Sequence, residues 1–238
     1  MEGPSELLEA VKRDDAGRVA TLIGRNPELA RVSGDFEKTG LHWAAELDRL
    51  GIARTLVEAG ADIEARTSWG ASPFDWAATM GSVRVADFLL SLGASGLTLI
   101  TAAALGRRTD VGAMLDSGAG PSRHRRRDAP AVPDEYWPAD TAHLRGDVLS
   151  DALYAAARNG HDAVVTDLLA RGADIDAKGV FGATGLHWAA INGHAGTVKL
   201  LVSRGASREL RDARFGATPE GWAREGGHPH IVETLLAP

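Results

Sequence analysis

The sequence contains no cysteine. Disulfides, thiolate zinc sites and cysteine nucleophiles are therefore excluded together. No apolar run approaches the length needed to cross a bilayer. The N-terminal stretch MEGPSELLEAVKRDD is charged and amphipathic. It lacks the uninterrupted apolar core of a signal peptide, so a cytoplasmic, non-membrane protein is expected. A basic surplus is missing too. The formal net charge is −6, the wrong sign for the counterion-displacing surface that nucleic acid requires. No phosphate loop, nucleophile elbow, dinucleotide fingerprint or HExxH spacing occurs, and no cofactor or metal is expected.

What is present is repetition. TGLHWAA occupies residues 39–45 and returns unchanged at 184–190. SPFDWAA at 72–78 has the same shape, with Phe74 lying 33 residues after Leu41. DALYAAA at 151–157 places Leu153 33 residues before Leu186, and TPEGWA at 218–223 follows one residue late. A second landmark falls 19 residues after each anchor. Gly60-Ala61-Asp62, Gly93-Ala94-Ser95, Gly118-Ala119-Gly120, Gly172-Ala173-Asp174 and Gly205-Ala206-Ser207 follow Leu41, Phe74, Leu99, Leu153 and Leu186 in this way. With Leu7 and Glu220 added, seven units are anchored at 7, 41, 74, 99, 153, 186 and 220.

This pattern resembles the ankyrin repeat, with its TPLHxAA, G-H, L-L and G-A-D landmarks. The fullest copy runs from Thr184-Gly185-Leu186-His187-Trp188-Ala189-Ala190 through Gly193-His194 and Leu200-Leu201 to Gly205. The resemblance implies an all-α solenoid in which each unit is a hairpin finger followed by two antiparallel helices. The residue types agree. Thr39, Ser72, Thr184 and Thr218 can cap first helices with a hydroxyl. Pro73 and Pro219 suit the first turn. The alanine pairs 44–45, 77–78, 102–103, 156–157 and 189–190 permit close helix approach. The glycines at 60, 93, 118, 172 and 205 can close second helices in the left-handed conformation. Leu56, Leu89-Leu90, Leu168-Leu169 and Leu200-Leu201 form the apolar stripe of those helices.

One domain is expected over 1–238. It comprises an N-terminal cap repeat (1–33), repeats over 34–120 with the last one shortened, an insertion (121–148), repeats over 149–211 and a C-terminal cap (212–238). Leu99 arrives only 25 residues after Phe74, so one finger is largely missing, and Leu153 lies 54 residues beyond Leu99. The insertion holds four prolines, a basic run Arg123-His124-Arg125-Arg126-Arg127, and Asp134-Glu135-Tyr136-Trp137. If ordered, it overhangs the groove, with Tyr136 and Trp137 against the concave face.

By resemblance, the groove is lined by finger tips and first-helix ends. The tips are Phe36, Trp69, Phe181 and Phe215. The helix ends carry Leu47, Met80, Leu105, Arg158-Asn159 and Ile191-Asn192. An apolar groove of this kind can hold a protein partner. The tips can equally pack finger against finger. Trp43, Trp76, Trp188 and Trp222 share one repeat position and are read as filling the seam between first helix and fingers. His42, His187, His161, His194 and His228 are accounted for by the repeat rather than by a metal. Asp75 stands where the family has histidine. It either accepts hydrogen bonds at a helix start or, with Asp134, Glu135 or His143, forms a carboxylate site for acid–base chemistry. The expected function is protein binding through the concave groove, with no nucleic acid. The alternative is a small-molecule binder or enzyme whose apolar pocket includes the insertion.

Overall fold

Hydroxyl side chains start most of the first helices. In the computed structural model, which describes residues 3–117 and 148–237, Thr39, Ser72, Thr98, Thr184 and Thr218 are N-cap residues with extended backbone. They lead into α3 (Gly40–Glu46), α5 (Pro73–Met80), α7 (Leu99–Ala104), α11 (Gly185–Ile191) and α13 (Pro219–Glu225). α1 (Pro4–Lys12) instead begins with a proline at its first turn. α9 (Val148–Arg158) starts at the last residue that spacing assigned to the insertion. The second helices are α2 (Ala16–Arg25), α4 (Leu50–Glu58), α6 (Val83–Ser91), α8 (Arg108–Asp116), α10 (Asp162–Ala170), α12 (Ala195–Ser203) and α14 (Pro229–Leu236). No strand occurs among the described residues; two isolated bridges, Ser33–Thr39 and Lys178–Thr184, mark fingers.

The described residues fall into two compact units, one running to Gly96 and the other starting at Leu97. Within the first, α1, α3 and α5 stack on one another, and α2, α4 and α6 stack behind them. Within the second, α7, α9, α11 and α13 form the front row, with α8, α10, α12 and α14 behind. Each pair buries its apolar side only against its neighbours, as expected of a repeat stack.

Small residues set the spacing of the front row. All five alanine pairs named from the sequence are fully buried. One leucine of each second-helix doublet is fully buried (Leu89, Leu168 and Leu201) and its neighbour is half-buried. The closing glycines Gly60, Gly93, Gly172 and Gly205 have φ near +90°, a conformation in which a side chain would be strained. Ala190→Leu inserts three carbons into a seam with no exposure. It is expected to cost about 1–3 kcal/mol, read as a fall in the urea midpoint at unchanged slope.

The shortened repeat is visible as chain length. Residues 92–98 alone join α6 to α7, whereas 59–72 join α4 to α5 and 171–184 join α10 to α11. The chain between α6 and α7 is too short to reach out and return as a finger.

Candidate functional site

The fingers are built around left-handed turns. In the first, Gly34 N–H donates to Lys38 O at 2.9 Å, and Phe36 and Glu37 both have φ near +60°. In its counterpart, Gly179 N–H donates to Ala183 O at 2.9 Å, with Phe181 at φ 60° and Gly182 at 67°. A bulky side chain rarely accepts this conformation. Here it turns the phenylalanine carbonyl toward the next finger. Ser68 N–H donates to Phe36 O at 2.8 Å, and Ala213 N–H donates to Phe181 O at 2.6 Å. The rings follow. Phe36 lies 5.0 Å from Trp69, and Phe181 lies 6.3 Å from both Phe215 and Trp188. Fingers therefore do pack on fingers, yet Phe36 keeps 43% and Phe215 66% of their surface exposed.

Behind the tips stand the tryptophans, arranged differently in the two units. Lys38 Nζ sits 3.4 Å from the ring centre of Trp43 and 4.0 Å from that of Trp76, ion-paired with Glu46. Burial holds Lys38 below the usual lysine range, against the raising pull of Glu46. In the second unit the counterpart of Lys38 is Ala183, and that of Glu46 is Ile191. Without an intervening ammonium, Trp188 and Trp222 meet edge to face at 5.1 Å. Tyr154 extends the row 6.4 Å from Trp188, and the Arg158 guanidinium covers Trp188 at 4.3 Å.

Within each unit, polar side chains bolt repeats to their neighbours. His42 Nδ1 accepts from Thr39 N–H at 3.2 Å, while its Nε2–H donates forward to Ala71 O in the next finger at 3.0 Å. His187 does the same between Thr184 and Ala217 O. Burial pushes the His42 imidazole down to about 4, although the bond to Ala71 pulls upward. His161 reaches back to Ala104 O at 2.9 Å and His228 to Ile191 O at 3.0 Å. Asn159 and Asn192 do likewise, donating to Ala104 O and Arg158 O. Asp75 occupies the His42 position before the segment that lacks a finger. It accepts from Ser72 N–H at 2.7 Å and pairs with Arg66 at 3.2 Å. Thr101 holds the same position in α7 and caps Thr98 N–H at 2.8 Å.

The residues expected to line a groove thus differ in availability. Phe36, Met80 and Asn192 are exposed, and Leu47, Arg158, Asn159, Phe181 and Ile191 are half-buried. Trp69 and Leu105 are buried. Asp134, Glu135, Tyr136, Trp137 and His143 lie outside the described residues, as do the basic run Arg123–Arg127 and Gly118. Among the described residues no group of three histidines or carboxylates has metal-ligating geometry, and no helix is long and apolar enough to cross a membrane. Two participants were missed from sequence: Lys38, which reads as an ordinary loop charge, and Arg214, whose guanidinium lies over Phe181 and Phe215. The signal for Lys38 is its repeat position, the residue before the capping hydroxyl, where the other units carry Ala71, Ala183 and Ala217.

A family profile described as ankyrin repeats in three copies matches residues 153–238, and one described as ankyrin repeats in many copies matches 41–90. Among solved structures, the crystal structure of the human ASB11 ankyrin repeat domain is similar at 23% identity, covering 98% of both chains with a TM-score of 0.46. The profile matches together span more than half of the sequence and fall on the helix pairs and fingers just described, and the chain belongs to the ankyrin repeat family.

Proposed function

We propose that the chain is a protein-interaction module whose concave face, lined by finger tips and first-helix ends, holds a protein partner. One observation carries this reading. Phe36 and Phe181 occupy left-handed positions where asparagine or glycine is less strained, and strain of about 1–3 kcal/mol of this kind clusters at functional sites. The rings pack on the neighbouring finger, yet Phe36 keeps 43% of its surface exposed for a further contact. Within each unit the framework behind the tips is tied together, because Ser68 N–H bonds to Phe36 O in one and Ala213 N–H to Phe181 O in the other, and histidine and asparagine side chains hold neighbouring fingers and helix ends. Rigid display of apolar side chains keeps the entropic cost of binding low.

Phe36→Asn and Phe181→Asn separate display from architecture. Relief of strain and loss of an aromatic contact nearly cancel, so urea midpoints should move by no more than about 1 kcal/mol. Binding of a protein recovered from the native host should fall by roughly 30-fold, as for an anchor residue. A partner that binds both variants as tightly as the parent refutes the concave-face reading.

A further inference from the structure

The two units carry opposite charge at their finger tips. In the first unit Asp35 and Glu37 flank Phe36, and the finger cations are neutralised: Lys38 by Glu46, Arg66 by Glu64 and Asp75. In the second unit Arg214 lies over Phe181 and Phe215, Lys178 and Arg211 stand in the same two fingers, and none of the three pairs with a carboxylate of the described residues. Lys178 donates to Arg211 O at 3.4 Å and Arg211 to Gly216 O at 2.6 Å, while Arg214 lies 4.7 Å from the Phe181 ring centre and 5.3 Å from that of Phe215. Of the nearby acids, Glu209 is exposed two residues before Arg211, Asp174 accepts from Asp176 N–H, and the other three are engaged elsewhere. Asp212 is turned inward, accepting from the amides of Arg214, Phe215 and Ala217 and from the Trp222 indole. Glu220 pairs with Arg224, and Asp176 accepts from Ser207 N–H.

From this arrangement we infer that the last two fingers recognise an acidic protein segment carrying an apolar anchor. This deepens the proposed function and rests on it. A guanidinium stacked on an aromatic face keeps its N–H edge available for a carboxylate. Phe215, two-thirds exposed, offers the apolar contact beside it. Three cations on a chain of net charge −6 form a local site for carboxylates rather than a surface that displaces counterions along a nucleic-acid backbone.

Fluorescence anisotropy of the full chain with three labelled probes tests this. The probes are a short peptide alternating glutamate with leucine and phenylalanine, the same peptide with glutamine for glutamate, and an oligo-dT strand. The acidic peptide should bind at least roughly ten-fold more tightly than the glutamine peptide, and added salt should weaken it. Arg214→Glu and Lys178→Glu, with circular dichroism confirming the fold, should each remove that advantage. Equal binding of the two peptides, tighter binding of oligo-dT, no binding of the acidic peptide, or indifference to both charge reversals overturns the inference. Loss of a native partner on Phe36→Asn alongside any of these results leaves the concave-face reading standing and sinks only the acidic specificity.

Discussion

Lys38→Ala is expected to destabilise the protein by about 3 kcal/mol. The lysine side chain is 5% exposed and its Glu46 partner 23%. Removing the ammonium leaves a carboxylate unpaired in a largely dry seam and a void between two indoles, and breaking a buried pair from one side costs about 3–5 kcal/mol. The partial exposure of Glu46 places the expectation at the low end. The double replacement Lys38→Met with Glu46→Leu should return to within about 1 kcal/mol of the parent, since an apolar pair of similar volume removes both desolvation penalties. Urea unfolding followed by tryptophan fluorescence reads both, because Trp43 and Trp76 flank the substituted side chain. A single variant within about 0.5 kcal/mol of the parent would show that the ammonium is not held as described.

Mild acid is expected to remove a comparable amount of stability. His42 is fully buried and its imidazole titrates near 4 in the folded protein, against about 6.5 in an unfolded chain. The chief cause is burial, which disfavours the charged ring. In the neutral ring Nδ1 accepts from Thr39 N–H while Nε2–H donates to Ala71 O. Because the folded value lies below the unfolded one, the unfolded state takes up the proton first. The contribution is complete above about pH 6.5 and is lost as pH falls toward 4, reaching about 2–3 kcal/mol near pH 4.5. His161, His187 and His194 are depressed in the same direction, chiefly by burial, and add to the loss. Urea midpoints at neutral pH and near pH 4.5 measure the sum, and the His42 ring resonance should titrate around 4 in the folded state. A His42 midpoint near 6.5 with flat stability across the window would contradict the buried neutral tautomer.

Most of the architecture was legible because it follows from local requirements. A helix start needs an acceptor, so Thr39, Ser72 and Thr184 stand out. A helix end needs a left-handed residue, so Gly60, Gly93, Gly172 and Gly205 do. Close helices need small side chains, so the alanine pairs do. The site was only partly legible, because its decisive facts are distances between repeats. Trp69 and Met80 look alike as apolar groove candidates, yet one is buried and the other 37% exposed. Asn159 and Asn192 read as groove contacts, but their amides hold the preceding helix end. Asp75 admitted two readings from sequence. Its described bonds include a helix cap and a pair with Arg66, while Asp134, Glu135 and His143 lie outside the described residues; its replacement of the histidine follows from chain length. A histidine at that position reaches the finger ahead, as His42 and His187 do, and residues 92–98 provide none.

The Lys38–Glu46 and Ala183–Ile191 exchange has a consequence for how such an array can grow. Repeat arrays lengthen when a segment of gene is copied and reinserted. A copy of the first finger and α3 spliced beside α13 would bring an ammonium into a seam where the indoles already touch. A copy of only residues 178–186 moved forward would leave Glu46 without its counter-charge. A duplicated repeat is therefore expected to fit only when finger and helix travel together with the tryptophan that receives them, so the compatible building block is larger than the period of the sequence.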